Sequence, residues 1–328
     1  KISILTSKIT KPKGYGRIIR DEKMNPTNIR EEADASTQEK TINEIFTGIM
    51  IADNEFLKNG LKGLVRNNKA GEYYLTDLVE YASKRKLPIG STEAKELEVF
   101  GANNKKELEG LYNAMVALNI DAAKKKGTFF KDTSTCYVEG VLKVGKDVSI
   151  GNNVTIKGNV VLGNDVSIGS NVILSNTKIG SNSTIKEFCS IEDSKISENV
   201  EVGPFARLRN GAVLDNSAKI GNFVEVKKSR IGQNAKANHH AYIGDAEIGK
   251  KSNIGAGTIT CNYDGENKHK TKIGDSVFIG SNSSLVAPLK VGKKSYVAAG
   301  SVVTSDVPAG SLAFGRAKQK NKTNWKKK

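Results

Sequence analysis

Aromatic residues make up only 6% of this 328-residue chain, and cysteine, histidine and tryptophan number three, three and one. A core with so few rings has to be filled by aliphatic side chains. Cys136, Cys189 and Cys261 are odd in number and show neither disulfide nor metal-ligand spacing, which excludes a disulfide framework and reads as reduced thiols. No run approaches the roughly 20 apolar residues of a membrane span, and no signal-peptide pattern opens the chain. A soluble, cytoplasmic protein without membrane partners is expected. Acidic residues are scarce as well, 35 against 51 lysines and arginines, for a formal charge of +16. The basic residues are dispersed with few aromatics among them, which argues against nucleic acid and for small anionic partners.

What the chain has in abundance is a six-residue beat. An aliphatic residue returns at Val138, Val144, Ile150, Ile156, Leu162, Ile168 and Leu174, then, after one-residue contractions, at Ile179, Ile185 and Ile191, and from Ile196 through Val226. The beat restarts at Ile231 and Ile248, and a last run extends from Ile273 to Val303. This matches neither the 3.6 period of a helix nor the alternation of a half-buried strand. It predicts a hexapeptide solenoid, a parallel β-helix in which three hexapeptides close a triangular coil. Gly, Asn, Asp and Ser follow the aliphatic residue, as turn residues should at a corner. Residues 18 apart should then stack at about 4.8 Å.

Residues 1–103 lack this beat. Ile2–Ile9 and Glu44–Ile51 read as strands and Asn54–Leu64 and Tyr73–Lys84 as helices, so this is α/β material. Asn104–Lys126 forms one long helical pattern with Leu108, Leu111, Tyr112, Met115, Val116 and Leu118 on an apolar stripe. The expected organisation is α/β at 1–103, a helical linker at 104–127, the β-helix at 128–304 with a loop at 261–272, and a basic tail at 305–328. The chain starts on Lys1, directly in a strand, with too few strands for a complete α/β sheet, so an upstream portion is expected to be missing.

Several segments resemble a known family. Gly14-Tyr15-Gly16-Arg17, Gly71–Asp77 and Asn103-Asn104, with Gly203–Arg209, Gly221–Glu225 and Asn253–Gly265, are similar to the bacterial bifunctional N-acetylglucosamine-1-phosphate uridyltransferase/glucosamine-1-phosphate N-acetyltransferase family. The resemblance runs along nearly the whole chain up to Arg316. It implies a left-handed β-helix, a homotrimer formed through the solenoids, acetyl transfer from acetyl-CoA to glucosamine 1-phosphate in the C-terminal half, and Mg²⁺-dependent uridyl transfer from UTP in a Rossmann-like N-terminal half. The handedness comes from the family, since parallel crossovers in general favour the right-handed form.

Acetyl transfer to an amine requires a base that removes a proton near pH 7, and a neutral imidazole suits it. In Ala237-Asn238-His239-His240-Ala241-Tyr242 the residues alone do not separate His239 from His240, and either could be a solvated turn residue; the resemblance implies His239 as the base. Arg209 and Lys227 each follow an inward residue and lie 18 apart, so they should stack on one corner as a clamp for the substrate phosphate. The plain alternative is two solvated charges that repel. By resemblance, Tyr242 and Asn253 hold the sugar, Asn262 and Tyr263 the sugar or acetyl group, Lys268 the phosphate, and Ser281, Ala299 and Arg316 the acetyl-CoA. The beat fails after Thr260, where a loop carrying several of these residues must leave the prism. Counting sides of the triangle puts His239 on a different corner from Arg209 and Lys227, so a shared site is easier to build between subunits.

For the uridyltransferase half, the resemblance assigns Gly16 and Glu31 to the nucleotide sugar and Asn103 to both that product and Mg²⁺. The family's Glu-Ile-Asn-Thr-Gly stands here as Glu44-Ile45-Phe46-Thr47-Gly48, an apolar ring in place of a sugar-binding amide. The Gly-rich nucleotide loop and the Asp metal ligand do not occur in these 328 residues, so uridyl transfer is not expected of the chain as written. Two rivals stand beside this reading. One is a γ-class carbonic anhydrase with zinc on His239, His240 and His269; the other is a solenoid that only trimerises a nucleotidyltransferase.

Overall fold

The computed structural model of the chain describes residues 1–99, 101–102, 104–323 and 325. They form two compact units, Lys1–Ala114 and Met115–Lys328.

The first unit is built on five strands, β1 (Ile2–Lys8), β2 (Arg17–Arg20), β3 (Pro26–Arg30), β4 (Glu44–Ala52) and β5 (Ile89–Glu93), in the order β3-β2-β4-β1-β5. Only β1 and β5 run parallel; the other pairings are antiparallel. Helix α1 (Asn54–Leu61) starts where the Asp53 carboxylate accepts from the Phe56 amide at 3.0 Å. Helix α2 (Asp77–Lys84) buries Leu78, Val79 and Ala82 against Ile2, Ile4, Ile18 and Ile29. It begins four residues later than its apolar spacing predicts, because Tyr74 and Leu75 form tight turns whose carbonyls accept from the Asp77 and Leu78 amides at 3.2 Å. Strands β2, β3 and β5 carry little periodic signal: each buries one or two aliphatic residues at most, and β5 none fully.

Helix α3 (Lys105–Lys124) buries Val116, Ile120 and Ala123, not the whole predicted stripe, and leaves Leu108, Met115 and Leu118 exposed. The buried three recur at four- and three-residue spacing and join the core around Phe130, Cys136 and Val138. Asn119 adds a bond from Nδ2 to the Val138 carbonyl at 3.0 Å. Register with the first coil thus decides which face of the helix is covered.

The second unit is a left-handed parallel β-helix of three faces. The first face stacks strands such as Glu201–Val202, Lys219–Asn222, Lys236–His239, Asn253–Ile254 and Phe278–Ile279. The second stacks Arg207–Arg209, Glu225–Lys227, Tyr242–Gly244, Ile259–Cys261 and Ser284–Val286. The third stacks Val213–Leu214, Arg230–Ile231, Ala246–Ile248, Thr271–Ile273 and Leu289–Val291. Aliphatic residues of the beat meet in register, as Leu208 meets Val226 and Ile254 meets Ile279. Each fully buried one contributes roughly 1.5–3 kcal/mol.

A second inward position lies two residues before each of these, at Val148, Val154, Val166, Val172, Cys189, Ala206, Ala218 and Ala241 among others, all buried. It is held by small residues, since two large ones per hexapeptide would overfill the prism. Contractions of the beat are coils of 17 residues that keep inward residues aligned, as Ile168 on Ile185. Corners use a residue with positive φ, mostly Asn or Asp, for example Asn171 at 60° and Asn234 at 57°. Between Cys261 and Thr271, both paired in strands, residues 262–270 leave the prism.

Candidate functional site

The corner between the first and second faces carries the histidines. Strand Lys236–His239 lies directly above Lys219–Asn222, and Asn222 faces His239. The coils approach closely here: a Cβ on Gly221 would sit 1.9 Å from the Asn238 carbonyl oxygen, so only glycine fits. The result is a 2.7 Å contact between Asn222 Oδ1 and His239 Nδ1. His240, at φ 41°, turns the corner and stacks on the Phe223 ring at 5.0 Å. The two histidines, indistinguishable from the residues alone, therefore differ: one is held by an amide, the other by a ring.

Phe223 is itself the top of an aromatic column. Phe188 and Phe205 stack at 4.9 Å, and Phe205 and Phe223 at 5.1 Å, all three with positive φ and about half exposed. Above His240 the same corner changes character. Its next rungs are Ala256-Gly257, Ser281-Asn282 and Ala299-Gly300, tied by amide-to-carbonyl bonds from Gly257 to His240, Asn282 to Ala256 and Gly300 to Ser281. Arg316 follows on the last turn, after Gly315 accepts from the Val302 amide. His239, Ser281 and Ala299 thus share one corner, bulky below the imidazole and small above it, with Arg316 close by in the chain.

The corner between the second and third faces carries the cations. Arg209 and Lys227 are facing residues on adjacent coils, as their spacing predicts. Glu225 modifies the expected repulsion: its Oε1 accepts from Arg209 Nε at 2.6 Å. One coil further on, the buried Asp245 anchors the loop, accepting from Asn262 Nδ2 at 2.6 Å and lying 3.8 Å from Lys228 Nζ. Asn262 is buried, Tyr263 and Lys268 are exposed and bridge each other across the loop, and the Tyr263 hydroxyl donates to the Gly265 carbonyl. Asp264 closes the loop by accepting from the amides of Asn267 and Glu266 and facing His269 Nε2 at 2.6 Å. Those bonds, the Asn267 amide first, hold the Asp264 carboxyl far below the ordinary carboxylate range. Tyr242 lies at the start of the second face and covers Gly244, where a Cβ would meet its hydroxyl at 2.5 Å; Asn253 lies half-buried on the first face.

Within one chain, then, Arg209, Lys227, Asn262, Tyr263 and Lys268 gather on one corner, and His239 and the residues implied for acetyl-CoA on another. Asn222, Glu225 and Asp245 were missed as site residues. The signal for the first two was available: Asn222 is 17 positions before His239 and Glu225 is 16 after Arg209, both one coil away. A groove of about 680 Å³ lies on the remaining corner among Asp215, Arg230, Glu247, Lys250 and Lys272 and contains none of the predicted residues. Its charges pair across coils, Arg230 with Asp215 at 2.9 Å.

In the first unit Gly16 and Glu31 are neighbours: a Cβ on Gly16 would lie 3.4 Å from Glu31 Oε2, and Glu31 Oε1 accepts from Thr76 at 2.9 Å. Phe46 donates its amide to the Gly16 carbonyl and packs its ring on the core. Asn103 lies outside the described residues. Among the described residues no group of three or more His, Cys, Asp or Glu side chains could hold a metal ion, and no helix is long and apolar enough to cross a membrane.

A three-faced coil of hexapeptides defines the class, the hexapeptide-repeat β-helix proteins. Residues 270–305 match the family model described as bacterial transferase hexapeptide (six repeats), and 133–218 that of the GMPPB C-terminal domain. An Arabidopsis UDP-N-acetylglucosamine acyltransferase structure shares the fold at TM-score 0.50 and 20% identity, over 55% of this chain and 70% of that one. The chain is 46% identical over 327 residues to the bifunctional protein GlmU of Idiomarina loihiensis, and 48% identical over 327 residues to that of Acinetobacter baylyi, in each case 99% of this chain and 72% of the relative. It belongs to the bifunctional GlmU family.

Proposed function

We propose that this chain transfers the acetyl group of acetyl-CoA to the amine of glucosamine 1-phosphate, with His239 as general base. The carrying observation is the Asn222–His239 pair, set on the corner that turns from large to small side chains at that level. The small rungs, Ala256-Gly257, Ser281-Asn282 and Ala299-Gly300, leave room for a thioester arm beside the imidazole, and Arg316 offers a cation for its phosphates. The amine nitrogen attacks the thioester carbonyl, His239 Nε2 takes the proton the amine gives up, and the C–S bond breaks to release CoA as its thiol once protonated. Asn262 and Tyr263 hold sugar or acetyl group, Tyr242 and Asn253 the sugar, and Arg209, Lys227 and Lys268 the phosphate.

Because His239 and Arg209 occupy different corners, the complete site is assigned to two neighbouring chains of a homotrimer, in the cytoplasm where acetyl-CoA is supplied. Glucosamine-1-phosphate-dependent release of free thiol from acetyl-CoA tests the activity; no release sinks it. Mixed assemblies of His239→Ala and Arg209→Ala chains, assayed at glucosamine 1-phosphate well below the parent KM, test the sharing: activity above that of either variant alone appears only if the site spans two chains.

The second activity of the family belongs to the first unit, where the contact of Gly16 with Glu31 supports a nucleotide-sugar subsite. The described residues gather no cluster for Mg²⁺, so no metal step is assigned. Nothing favours the zinc reading, since His269 is engaged by Asp264 within the loop.

A further inference from the structure

We propose that Asn222 is the positioning residue of His239, selecting the imidazole tautomer that leaves Nε2 free to accept a proton. This rests on the reading of His239 as the base, and its test is chosen so that the two can fail separately.

The backbone fixes the pair. Asn222 and His239 are held opposite each other by the pairing of Lys219–Asn222 with Lys236–His239, and Gly221 lets the two coils approach at this rung. The Asn222 carbonyl accepts from the His240 amide at 3.0 Å, and the Phe223 ring stacks on His240. Asn222 and Phe223 therefore grip both histidines, one rung supporting the next. With backbone and neighbour fixed, the Asn222 side chain has little freedom.

Its Oδ1 lies 2.7 Å from His239 Nδ1. An amide oxygen only accepts, so the ring nitrogen facing it must carry the proton. In a neutral imidazole that leaves the lone pair on Nε2, the nitrogen directed away from Asn222. The opposite tautomer would present Nε2–H to the substrate and could not act as a base.

The choice of amide over carboxylate fits the same role. A carboxylate at this distance would also orient the ring, but it would favour the imidazolium, which has no free lone pair. An amide orients without adding charge. Lys219 and Lys236, paired on the same two strands, are the charged residues flanking the rung.

Nitrogen-15 NMR of the full chain labelled at histidine reads the tautomer without substrate. The expected spectrum has His239 neutral with Nδ1 protonated in the parent, and a mixture or the Nε2-protonated form in Asn222→Ala. Steady-state kinetics should show kcat for acetyl transfer lower by tenfold or more in Asn222→Ala, with KM for glucosamine 1-phosphate within about twofold. Asn222→Asp keeps an acceptor and restores the Nδ1-protonated form of the neutral ring. If Asn222→Ala does not fold, Asn222→Asp and Asn222→Ser carry the comparison.

A parent spectrum with Nε2 protonated overturns the proposal, and so does an Asn222→Ala chain with unchanged tautomer and kcat. A parent that does not acetylate glucosamine 1-phosphate overturns the assigned reaction instead, and the spectra still decide whether Asn222 sets the tautomer.

Discussion

Arg209 and Lys227 face each other on adjacent coils, but the charge that Arg209 engages is Glu225, at 2.6 Å from Nε. The carboxylate occupies one edge of the guanidinium and leaves its terminal nitrogens to a ligand, so it aims the fork while offsetting the repulsion from Lys227. Charge-assisted bonds of this kind contribute about 1.5–3 kcal/mol, or roughly 10- to 100-fold in affinity. Arg209→Ala should raise KM for glucosamine 1-phosphate by at least about tenfold, with a smaller change in kcat. Glu225→Gln should give a weaker change in the same direction. Steady-state kinetics check both, and an unchanged KM in Arg209→Ala would remove the clamp.

The column of Phe188, Phe205 and Phe223 sets ring stacking against backbone strain. Phe205 holds φ 55°, a conformation that costs a non-glycine residue about 1–2 kcal/mol. It stacks on two rings, each contact contributing about 0.5–1.5 kcal/mol. Phe205→Ala keeps the strain and loses both stacks, so a loss of about 1–3 kcal/mol is expected. Phe205→Gly loses the stacks but relieves the strain, and should be the more stable of the two. Urea midpoints decide: an unchanged midpoint in Phe205→Ala would show that the rings do not stabilise this corner, and glycine falling at or below alanine would show that it carries no such strain.

The solenoid was legible because its signal is repeated. Every coil restates the inward aliphatic position, and a missing residue such as the one before Ile179 is absorbed as a coil of 17 that sets Ile179 on Leu162. The companion inward position escaped notice because Cys189, Ser194 and Ala206 share size and not chemistry. The stacking of Arg209 on Lys227 followed from spacing alone. The engagement of His239 by Asn222 did not, since it depends on which way two side chains turn at a corner. Strands β2, β3 and β5 were unread because each buries too little to leave a period of 2, and the burial of α3 depends on its docking to the first coil.

The three thiols should separate by reactivity. Burial pushes the Cys189 thiol up to about 11, and burial also raises Cys136, whereas Cys261 is half-buried at the edge of the loop. At pH 8 a thiol near 11 is ionised to roughly one part in a thousand, and the thiolate is the reactive form. A disulfide reagent should therefore titrate one thiol in the native chain and three after denaturation. Cys261→Ser should abolish the native reaction, and three native equivalents would show that the prism opens readily.

Asp264 gives the loop a defined response to acid. The amides of Asn267 and Glu266, with His269, stabilise its ionised form and hold its pKa far below the usual range. A carboxyl depressed by folding contributes stability that is fully present above its unfolded value, about 3.9, and is lost only as pH falls through the folded one. Protection of the Glu266 and Asn267 amides against hydrogen exchange, corrected for intrinsic rates, should therefore stay level from neutral pH down to about 4 and decline below. Asp264→Ala should lose that protection at every pH, and, because Tyr263 and Lys268 are bridged across the same loop, should raise KM for glucosamine 1-phosphate. Protection that already declines between pH 8 and 5, well above the range in which Asp264 takes up its proton, would show that Asp264 does not control the loop.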